Sequence, residues 1–390
     1  MKALLIVPQP FYSARGTPFS VYYRTLVMAE MGVEVDLLTY GQGQDVEIPG
    51  VRIIQIADVP SLELIKTGPS MLKLFLDVFI LLRTIGLLIR NNYDFGHAHE
   101  EAVFFCRFLK PLFGFKLVYD MHSSLPQQLT NFNFTSSKFL IRMFEWLADG
   151  ALAHAEVVLT ICPNLAEYAL SRAPIEDRHI LIENSIFEPI KLRKTIEETV
   201  SADKPTELPA DRRIVYYAGT FEIYQGVEIA VGAFAILRDD CPDAFLLMVG
   251  GNPDQVENYR NMAMEQKLDA HCLFTGTVSK MLALRYQSLA SVLVSPRTVG
   301  MNTPLKIYEL LANGIPLVAT RVPAHAQVLG DDVCFLTEPE AAPIAAGILV
   351  ALDDDGRKAN VVRSAWELYD EIYSHPVYEE KIRCMLELLS

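Results

Sequence analysis

Cysteines and basic residues are both scarce in this 390-residue chain. The six cysteines lie far apart, without any C-x-x-C spacing, which indicates reduced, buried thiols rather than a disulfide framework. Lysine and arginine number 34 against 48 acidic residues, so the net charge is −14. Sequence-independent nucleic-acid binding depends on neutralising phosphates. We therefore expect no nucleic-acid partner, and any basic site must be local.

No signal peptide is evident at the start of the sequence. The apolar run Ala3–Val7 is followed at once by Pro8 and Pro10, whereas a signal-peptide core needs roughly 7 to 15 apolar residues and a small-residue cleavage site. We therefore predict a cytoplasmic location. The motifs of a P-loop, a zinc site and a serine or cysteine nucleophile are missing as well, which argues against the enzyme classes that depend on them.

An uninterrupted membrane span is also missing. The most apolar stretch, residues 71–89, contains Lys73, Asp77 and Arg83 and falls short of roughly 18 consecutive apolar residues. Residues 66–90 carry four basic side chains and one acidic side chain. Two interpretations are open: a crossover helix buried against a sheet, or a helix with one face on the anionic inner surface of a membrane.

Short apolar runs alternate with helical patterns along the whole chain. Hydrophobic residues make up 51% of it, which is enough to fill two cores at this length. Runs that are apolar at consecutive positions, such as Ala3–Val7 and Ala244–Val249, are typical of strands buried on both faces of a parallel sheet. The alternation predicts an α/β fold with two doubly wound, Rossmann-like parallel-sheet domains.

The alternation pauses once, and this pause divides the chain. Residues 188–213 carry charges and almost no apolar periodicity, so we predict a linker or surface excursion there. The N-terminal domain then spans residues 1–187 and the C-terminal domain residues 214–365. We expect a final helix over residues 366–390 that packs back on the N-terminal domain. Because ligands of such sheets bind beyond the carboxyl ends of the strands, we expect the site in a cleft between the domains.

The most informative segment is residues 295–320, which predicts a strand, a loop and the start of a helix. Thr303 is placed to cap this helix, and Pro304 suits its first position because the amide there is not needed for helix hydrogen bonds. The free amides and the positive dipole end of such a helix favour a diphosphate.

Three side chains in this segment fit a nucleotide. Lys306 lies in the first helical turn and Arg297 in the preceding loop, so cations stand beside the predicted diphosphate position. Glu309 lies further into the helix, where its carboxylate can accept hydrogen bonds from ribose hydroxyls. Alternatively, Lys306 and Glu309 are solvated side chains of an ordinary helix.

The run Pro304-Leu-Lys-Ile-Tyr-Glu-Leu-Leu-Ala-Asn-Gly-Ile-Pro-Leu-Val-Ala-Thr320 resembles the donor-nucleotide motif of glycosyltransferase family 4, the retaining transferases of the GT-B fold. That family typically has two glutamates eight positions apart. Glu309 matches the second, which in the family holds the nucleotide ribose, and Met301 stands where the first would be. Members with Pro-Leu-Lys at this place form a recognisable subset of the family.

Other stretches carry the same resemblance. Arg15-Gly-Thr-Pro-Phe-Ser20 is similar to the family's N-terminal glycine-rich loop, in which Gly16 would let the backbone approach the donor phosphate or sugar. His122 ends the run Tyr119-Asp-Met-His122 and matches the family's histidine near the anomeric carbon of the donor, so it is our candidate catalytic residue. Gly219 stands at the first strand-to-helix turn of the second domain. The alternatives are a plain turn at Gly16 and a surface or core role for His122.

Two cations of the family are missing. The family usually has arginine at the position of Thr220 and lysine at that of Gln225, and both clamp the diphosphate. Our hypothesis is that Arg297 and Lys306 supply part of this charge. The predicted donor-binding residues are Gly16, Gly219, Arg297, Asn302, Thr303, Leu305, Lys306 and Glu309.

We expect no metal. His97 and His99 lie on one face of a predicted strand and would supply two ligands, but the sequence matches no third, and the family needs no metal. Acidic clusters such as residues 353–355 lie at helix ends or in loops, and we interpret them as solvated surface.

The resemblance implies a glycosyltransferase that uses a nucleotide-sugar, a UDP- or GDP-sugar, as co-substrate and requires no other cofactor. The acceptor is a glycan, a lipid-linked molecule or a small molecule, and the anomeric configuration is retained. Peripheral contact with the inner face of the membrane follows if residues 66–90 face lipid. The alternatives are a catalytically silent scaffold or binding protein of the same fold and a sugar-nucleotide epimerase, which needs acids and bases not found near His122 or Glu309.

Overall fold

The computed structural model describes residues 1–11, 16–41, 47–56, 71–124, 137–183, 208–209 and 211–390. The chain divides into two compact units, the first made of residues 1–184 and 375–390 and the second of residues 185–374. Each unit has its own parallel sheet and its own hydrophobic core. Most of the predicted linker, residues 188–213, lies outside the described residues.

Within the described residues, the first unit has a seven-stranded sheet in the order β3-β2-β1-β4-β5-β6-β7. Its pairings are parallel. The strands are β1 (Lys2–Val7), β2 (Glu34–Thr39), β3 (Val51–Gln55), β4 (Phe95–His99), β5 (Lys116–Met121), β6 (Val157–Thr160) and β7 (His179–Leu181). The central strand β4 is buried along its whole length, as expected when helices cover both faces of a sheet.

The helices between these strands are α1 (Gly16–Glu30), α2 (Met71–Arg90), α3 (Ala102–Phe113), α4 (Lys138–His154) and α5 (Pro163–Arg172). The strands follow one another in one direction from β1 to β3. The chain then crosses back, and the strands follow in the other direction from β4 to β7. Right-handed crossovers therefore put α1 on one face and α2, α3 and α4 on the other. In agreement, the inner sides of α2, α3 and α4 share one core cluster, which contains Leu76, Val103 and Leu152.

The apolar segment with two open interpretations forms α2. Its inner side is buried at Leu76 and Ile80, both 0% exposed, as a crossover helix requires. Its outer side is apolar too, and Phe75 and Leu82 are 54% and 60% exposed. Among the helices that the structure describes, α2 included, none combines the length and the apolar character needed to cross a membrane.

The second unit has, in its described part, a six-stranded sheet in the order β10-β9-β8-β11-β12-β13. The strands are β8 (Arg213–Ala218), β9 (Ala244–Val249), β10 (Cys272–Gly276), β11 (Ala290–Ser295), β12 (Leu317–Thr320) and β13 (Phe335–Thr337). The strand order reverses between β8 and β11. Sheets of this kind bind their ligands beyond the carboxyl ends of the strands at such a switch point.

The helices of the second unit are α6 (Val227–Asp240), α7 (Pro253–Glu265), α8 (Lys280–Ser288), α9 (Leu305–Leu311), α10 (Pro323–Ala326), α11 (Ala341–Asp353) and α12 (Asp355–Leu368). A short 3-10 turn, Ile223–Gln225, precedes α6. The best-formed N-terminus is that of α7, where Asn252 and Gln255 make a reciprocal capping box.

The end of the chain differs from the predicted helix over residues 366–390. α12 ends at Leu368, a π-helical turn follows at Tyr369–Tyr373, and α13 (His375–Leu388) begins anew. Pro376 explains the interruption, because proline lacks an amide hydrogen and clashes with the carbonyl four residues earlier. α13 lies in the first unit, where Lys381 pairs with Glu183 at 2.5 Å.

Candidate functional site

The predicted donor residues of the second unit lie at the carboxyl edge of its sheet. Gly219 directly follows β8, and Arg297 follows β11 by two residues. Since β8 and β11 are neighbours where the strand order reverses, both residues lie at the switch point. Lys306 is the second residue of α9, the helix that follows the loop after β11.

The amine of Lys306 is the central group of this edge. Its Nζ donates a hydrogen bond to the carbonyl oxygen of Ala218 at 3.3 Å and lies 4.4 Å from the centre of the Tyr217 ring. Burial, together with the neighbouring Arg297 guanidinium, lowers the pKa of Lys306 to about 7. An anion bound here would stabilise the protonated amine, so the site favours a negatively charged ligand.

Arg297 supplies a second cation, held by the loop around it. Its Nε donates to the carbonyl oxygen of Val299 at 2.7 Å, and its guanidinium carbon lies 4.9 Å from the centre of the Tyr224 ring. Burial lowers the pKa of Arg297. The amide of Thr298 donates to the carbonyl oxygen of Tyr224 at 3.0 Å, which joins this loop to the 3-10 turn before α6.

Two glycines allow close packing at this edge, Gly226 against a neighbouring backbone and Gly219 against two side chains. Gly226 has a φ of 71°, and a Cβ at this position would lie 1.8 Å from the carbonyl oxygen of Pro296. At Gly219 a Cβ would lie 2.9 Å from the Tyr217 hydroxyl and 3.5 Å from Nζ of Lys306. Side chains at either position would therefore disturb the cationic edge.

A cavity of about 170 Å³ lies beside Lys306 and is also lined by Glu309, Tyr216 and Leu284. Whole ligand pockets span about 300 Å³ or more, so this cavity fits a portion of a ligand, such as a ribose or a base. Glu309 and Lys306 thus line one space, as the sequence pattern predicts for a ribose next to a phosphate.

The predicted cap at Thr303 is not formed. α9 begins at Leu305 and has Pro304 at its N-cap position, where a ψ of 137° is extended rather than helical. The hydroxyl of Thr303 is buried and has no hydrogen-bond partner among the described residues, while Asn302 is exposed. Because α9 has only seven residues, its dipole is weak, so the cationic groups of this edge are the Lys306 and Arg297 side chains rather than the helix end.

The positions of the missing family cations contribute no charge. Thr220 is exposed, and Gln225 is half-buried in the 3-10 turn. Met301, at the position of the first glutamate, is 55% exposed. Gly16, the predicted donor-binding glycine of the first unit, is the first residue of α1, and residues 12–15 before it lie outside the described residues.

In the first unit, His122 follows β5 and is 3% exposed. Its Nε2 atom lies 3.1 Å from Oδ1 of Asp120. The Asp120 carboxylate is therefore placed beside the His122 ring, where it can help to orient it.

Asp120 is the centre of a fully buried cluster. Its Oδ2 forms an ion pair with Arg24 of α1 and lies 2.9 Å from Nε2 of His97 and 3.1 Å from Nε2 of His99. Burial alone would raise the pKa of Asp120, but the Arg24 charge and the histidines hold it well below its usual range. Burial lowers the pKa of His97 and, further, that of His99, so both rings are neutral at pH 7.

The cluster contains the ligand types of a metal site, and Asp120 is the third ligand that the sequence pattern did not match. The ligand atoms of His97, His99 and Asp120 lie within 4.8 Å of one another. However, the Arg24 guanidinium contacts the same carboxylate, and a dication there would meet its positive charge. We interpret the cluster as a buried ion pair supported by neutral imidazoles.

Glu100 is a further carboxyl group next to this cluster. It has a φ of 48°, unusual for a residue other than glycine, and accepts a hydrogen bond from the Ser123 hydroxyl at 2.7 Å. Burial, followed by the neighbouring Glu101 carboxylate, raises the pKa of Glu100 to about 8. Sequence reasoning missed Arg24, Glu100 and the role of Asp120; the signal available was Asp120 two residues before His122.

Both halves of the chain match family models. Residues 26–184 match the model described as glycosyl transferase 4-like domain, and residues 201–367 match glycosyl transferases group 1. The sulfoquinovosyl transferase SQD2 of Arabidopsis thaliana is 23% identical over 98% of this chain and 72% of its own length. A phosphatidyl-myo-inositol mannosyltransferase of Mycobacterium tuberculosis is 26% identical, over 41% of this chain and 43% of its own length.

A solved structure extends the likeness to the fold. Anabaena HepE in complex with UDP-glucose aligns with a TM-score of 0.68 at 16% identity and covers 99% of each chain. The predicted fold class, two Rossmann-like parallel-sheet domains of the GT-B type, is confirmed. The two family models together span most of the sequence, and the chain belongs to glycosyltransferase family 4.

Proposed function

We propose that this glycosyltransferase moves a sugar from a nucleotide-sugar donor, a UDP- or GDP-sugar, to a glycan or lipid-linked acceptor with retention at the anomeric carbon. The observation that carries the proposal is the place of the Lys306 amine. It lies at the switch point of the second sheet, beside a cavity that also contains Glu309. HepE, a protein of the same fold, is described in complex with UDP-glucose, which supports this choice of donor.

Lys306 and Arg297 would bind the donor diphosphate and stabilise the leaving group. As the bond between the anomeric carbon and the diphosphate breaks, negative charge grows on the departing phosphate oxygen. Two fixed cations in a partly desolvated site stabilise this charge more strongly than water does. The proposal therefore assigns to these side chains the charge neutralisation that a metal ion provides in other transferases.

Glu309 and the cavity beside it would hold the nucleoside. The Glu309 carboxylate accepts hydrogen bonds from ribose hydroxyls, and the apolar wall around Leu284 and Tyr216 contacts the base. Glu309 and Lys306 lie three residues apart on α9 and line one cavity, so variants of each should weaken binding, and their effects should be coupled rather than additive.

His122 would contact the donor sugar near its anomeric carbon, as the family resemblance implies. Asp120, whose Oδ1 lies 3.1 Å from Nε2 of His122, would act as a positioning residue for the imidazole. Retention requires donor and acceptor oxygen on the same side of the sugar ring. A fixed imidazole there helps to place the acceptor without forming a covalent intermediate.

The acceptor class is supported by the relatives. The mycobacterial relative is named a phosphatidyl-myo-inositol mannosyltransferase, which makes its acceptor a phospholipid. We propose a lipid-linked or glycan acceptor for this chain on that basis.

A thermal-shift panel with UDP, GDP and ADP tests the donor proposal. A ligand at about 100 times its Kd stabilises the fold by about 2.7 kcal/mol, so one nucleotide should raise the melting temperature visibly. Lys306→Ala should remove the shift. Lys358→Ala, which changes a half-buried lysine paired with Asp355 in the same unit, should keep it. A flat panel for the unmodified protein would instead favour a catalytically silent scaffold.

A further inference from the structure

The outer sides of α2, α3 and α4 form a surface that the proposed reaction does not explain. α3 packs against both α2 and α4, and the inner sides of the three helices share one core. They cover the same face of the first sheet, so their outer sides point in one direction. We call this surface the basic apolar face; its main apolar members are Phe75, Val78, Leu82, Leu112, Phe139 and Trp146.

These apolar side chains are strongly exposed. Leu112 is 75% exposed, Phe139 76% and Trp146 57%. A helix packed on a sheet normally turns a polar side to water, but α2 is apolar on its inner and its outer side. About half of the exposed large hydrophobic residues that the structure describes lie on these three helices, a concentration that marks an interaction surface.

The exposed charges on the same helices have one sign. Their exposed charged residues are Arg83, Arg90, Lys138 and Arg142, all basic, in a chain whose net charge is −14. The acidic residues are less exposed and partly engaged. Asp149, for example, pairs with Arg172 at 2.6 Å.

A further cation lies among the aromatic rings. The guanidinium carbon of Arg107 lies 5.0 Å from the centre of the Phe108 ring and 4.9 Å from that of Trp146. Arginines packed beside aromatic rings are suited to the boundary between lipid headgroups and acyl chains. A protein partner would need a matching acidic and apolar surface, whereas an anionic bilayer offers both features at once.

We propose that the basic apolar face docks on the surface of an anionic lipid bilayer. The exposed phenylalanines, leucines and Trp146 enter the headgroup region, and the basic side chains meet the lipid phosphates. The docking surface thus extends beyond α2 to α3 and α4. Docking adds to the proposed function because a membrane-bound enzyme meets a lipid-linked acceptor at the membrane. Docking itself does not require the donor site.

Flotation with vesicles tests the proposal. The unmodified protein should bind vesicles of phosphatidylcholine containing about 30% phosphatidylglycerol and should bind phosphatidylcholine alone at least about tenfold less. Arg83→Glu with Arg142→Glu should weaken binding to the anionic vesicles at least about thirtyfold, which is the loss of two cations at about 1 kcal/mol each. Arg363→Glu with Arg383→Glu changes the net charge equally at exposed positions elsewhere and should leave binding unchanged.

The apolar contribution is tested by Leu112→Ser with Phe139→Ser, which alters exposed side chains and should leave the fold intact. This variant should also lose vesicle binding while it keeps the affinity for UDP-glucose, so docking and donor binding are judged separately. Equal binding to both vesicle types overturns the proposal. The absence of vesicle binding overturns it as well. A concentration-dependent dimer that Leu112→Ser with Phe139→Ser dissociates would show that the face is instead a contact between copies of the chain.

Discussion

The low pKa of Lys306 makes donor affinity depend on pH in a defined direction. The free amine has a pKa of about 7 because it is buried beside Arg297. A bound diphosphate stabilises the protonated form, so the pKa rises in the complex and a proton is taken up on binding. Affinity is therefore highest well below pH 7 and falls as the pH rises through about 7.

The magnitude follows from the protonated fraction of the free amine. With a pKa of about 7, this fraction falls from roughly three-quarters at about pH 6.5 to roughly a tenth at about pH 8.0. If the complex stays protonated over this range, the Kd rises about eightfold, which corresponds to about 1.2 kcal/mol. UDP-glucose is the appropriate ligand, because both of its phosphates are esterified and do not titrate in this range.

Isothermal titration calorimetry in two buffers of different ionisation enthalpy measures both the affinity and the proton uptake. Uptake should approach one proton per site at about pH 8.0 and be about a quarter of a proton at about pH 6.5. Lys306→Arg keeps a charged side chain at both pH values, so its affinity should not change with pH. The reasoning fails if the unmodified protein binds UDP-glucose equally at both pH values, or if Lys306→Arg shows the same pH dependence.

Three further outcomes are expected. Gly226→Ala should destabilise the fold by about 2 kcal/mol or more and weaken donor binding, because its Cβ would lie 1.8 Å from the Pro296 carbonyl oxygen; a melting temperature equal to that of the unmodified protein contradicts this. Asp120→Asn should cost about 3 to 5 kcal/mol in urea unfolding, because it leaves the buried Arg24 charge uncompensated. Since the pKa of Asp120 is lowered, its contribution is present above the usual carboxyl pKa of about 4 and is lost as the pH falls further. Chelation with EDTA should leave the transfer rate within about twofold, since fixed cations provide the charge stabilisation; a loss restored by added Mg²⁺ contradicts that assignment.

Much of the fold follows from the sequence because buried parallel strands have a simple pattern. Ala244–Val249 is apolar at six consecutive positions and forms β9 with these bounds. β13, Phe335–Thr337, has only three residues and no such run, so sequence reasoning overlooked it. Pro376 indicates the interruption before α13, but the predicted helix over residues 366–390 did not take this proline into account.

The site was predictable only where its residues are close in the sequence. Arg297, Lys306 and Glu309 lie in one segment and meet one edge of one sheet. The pair of Arg24 and Asp120 depends on α1 and β5, which are far apart in the chain, and no local pattern indicates it. The cap expected at Thr303 failed because the extended backbone of Pro304 delays the start of α9.

A crystal structure of the protein with UDP-glucose tests the central claim most directly. The account predicts the diphosphate within hydrogen-bonding distance of Nζ of Lys306, with the ribose beside Glu309. A structure in which the diphosphate binds elsewhere while the Lys306 amine still donates to the Ala218 carbonyl would contradict it.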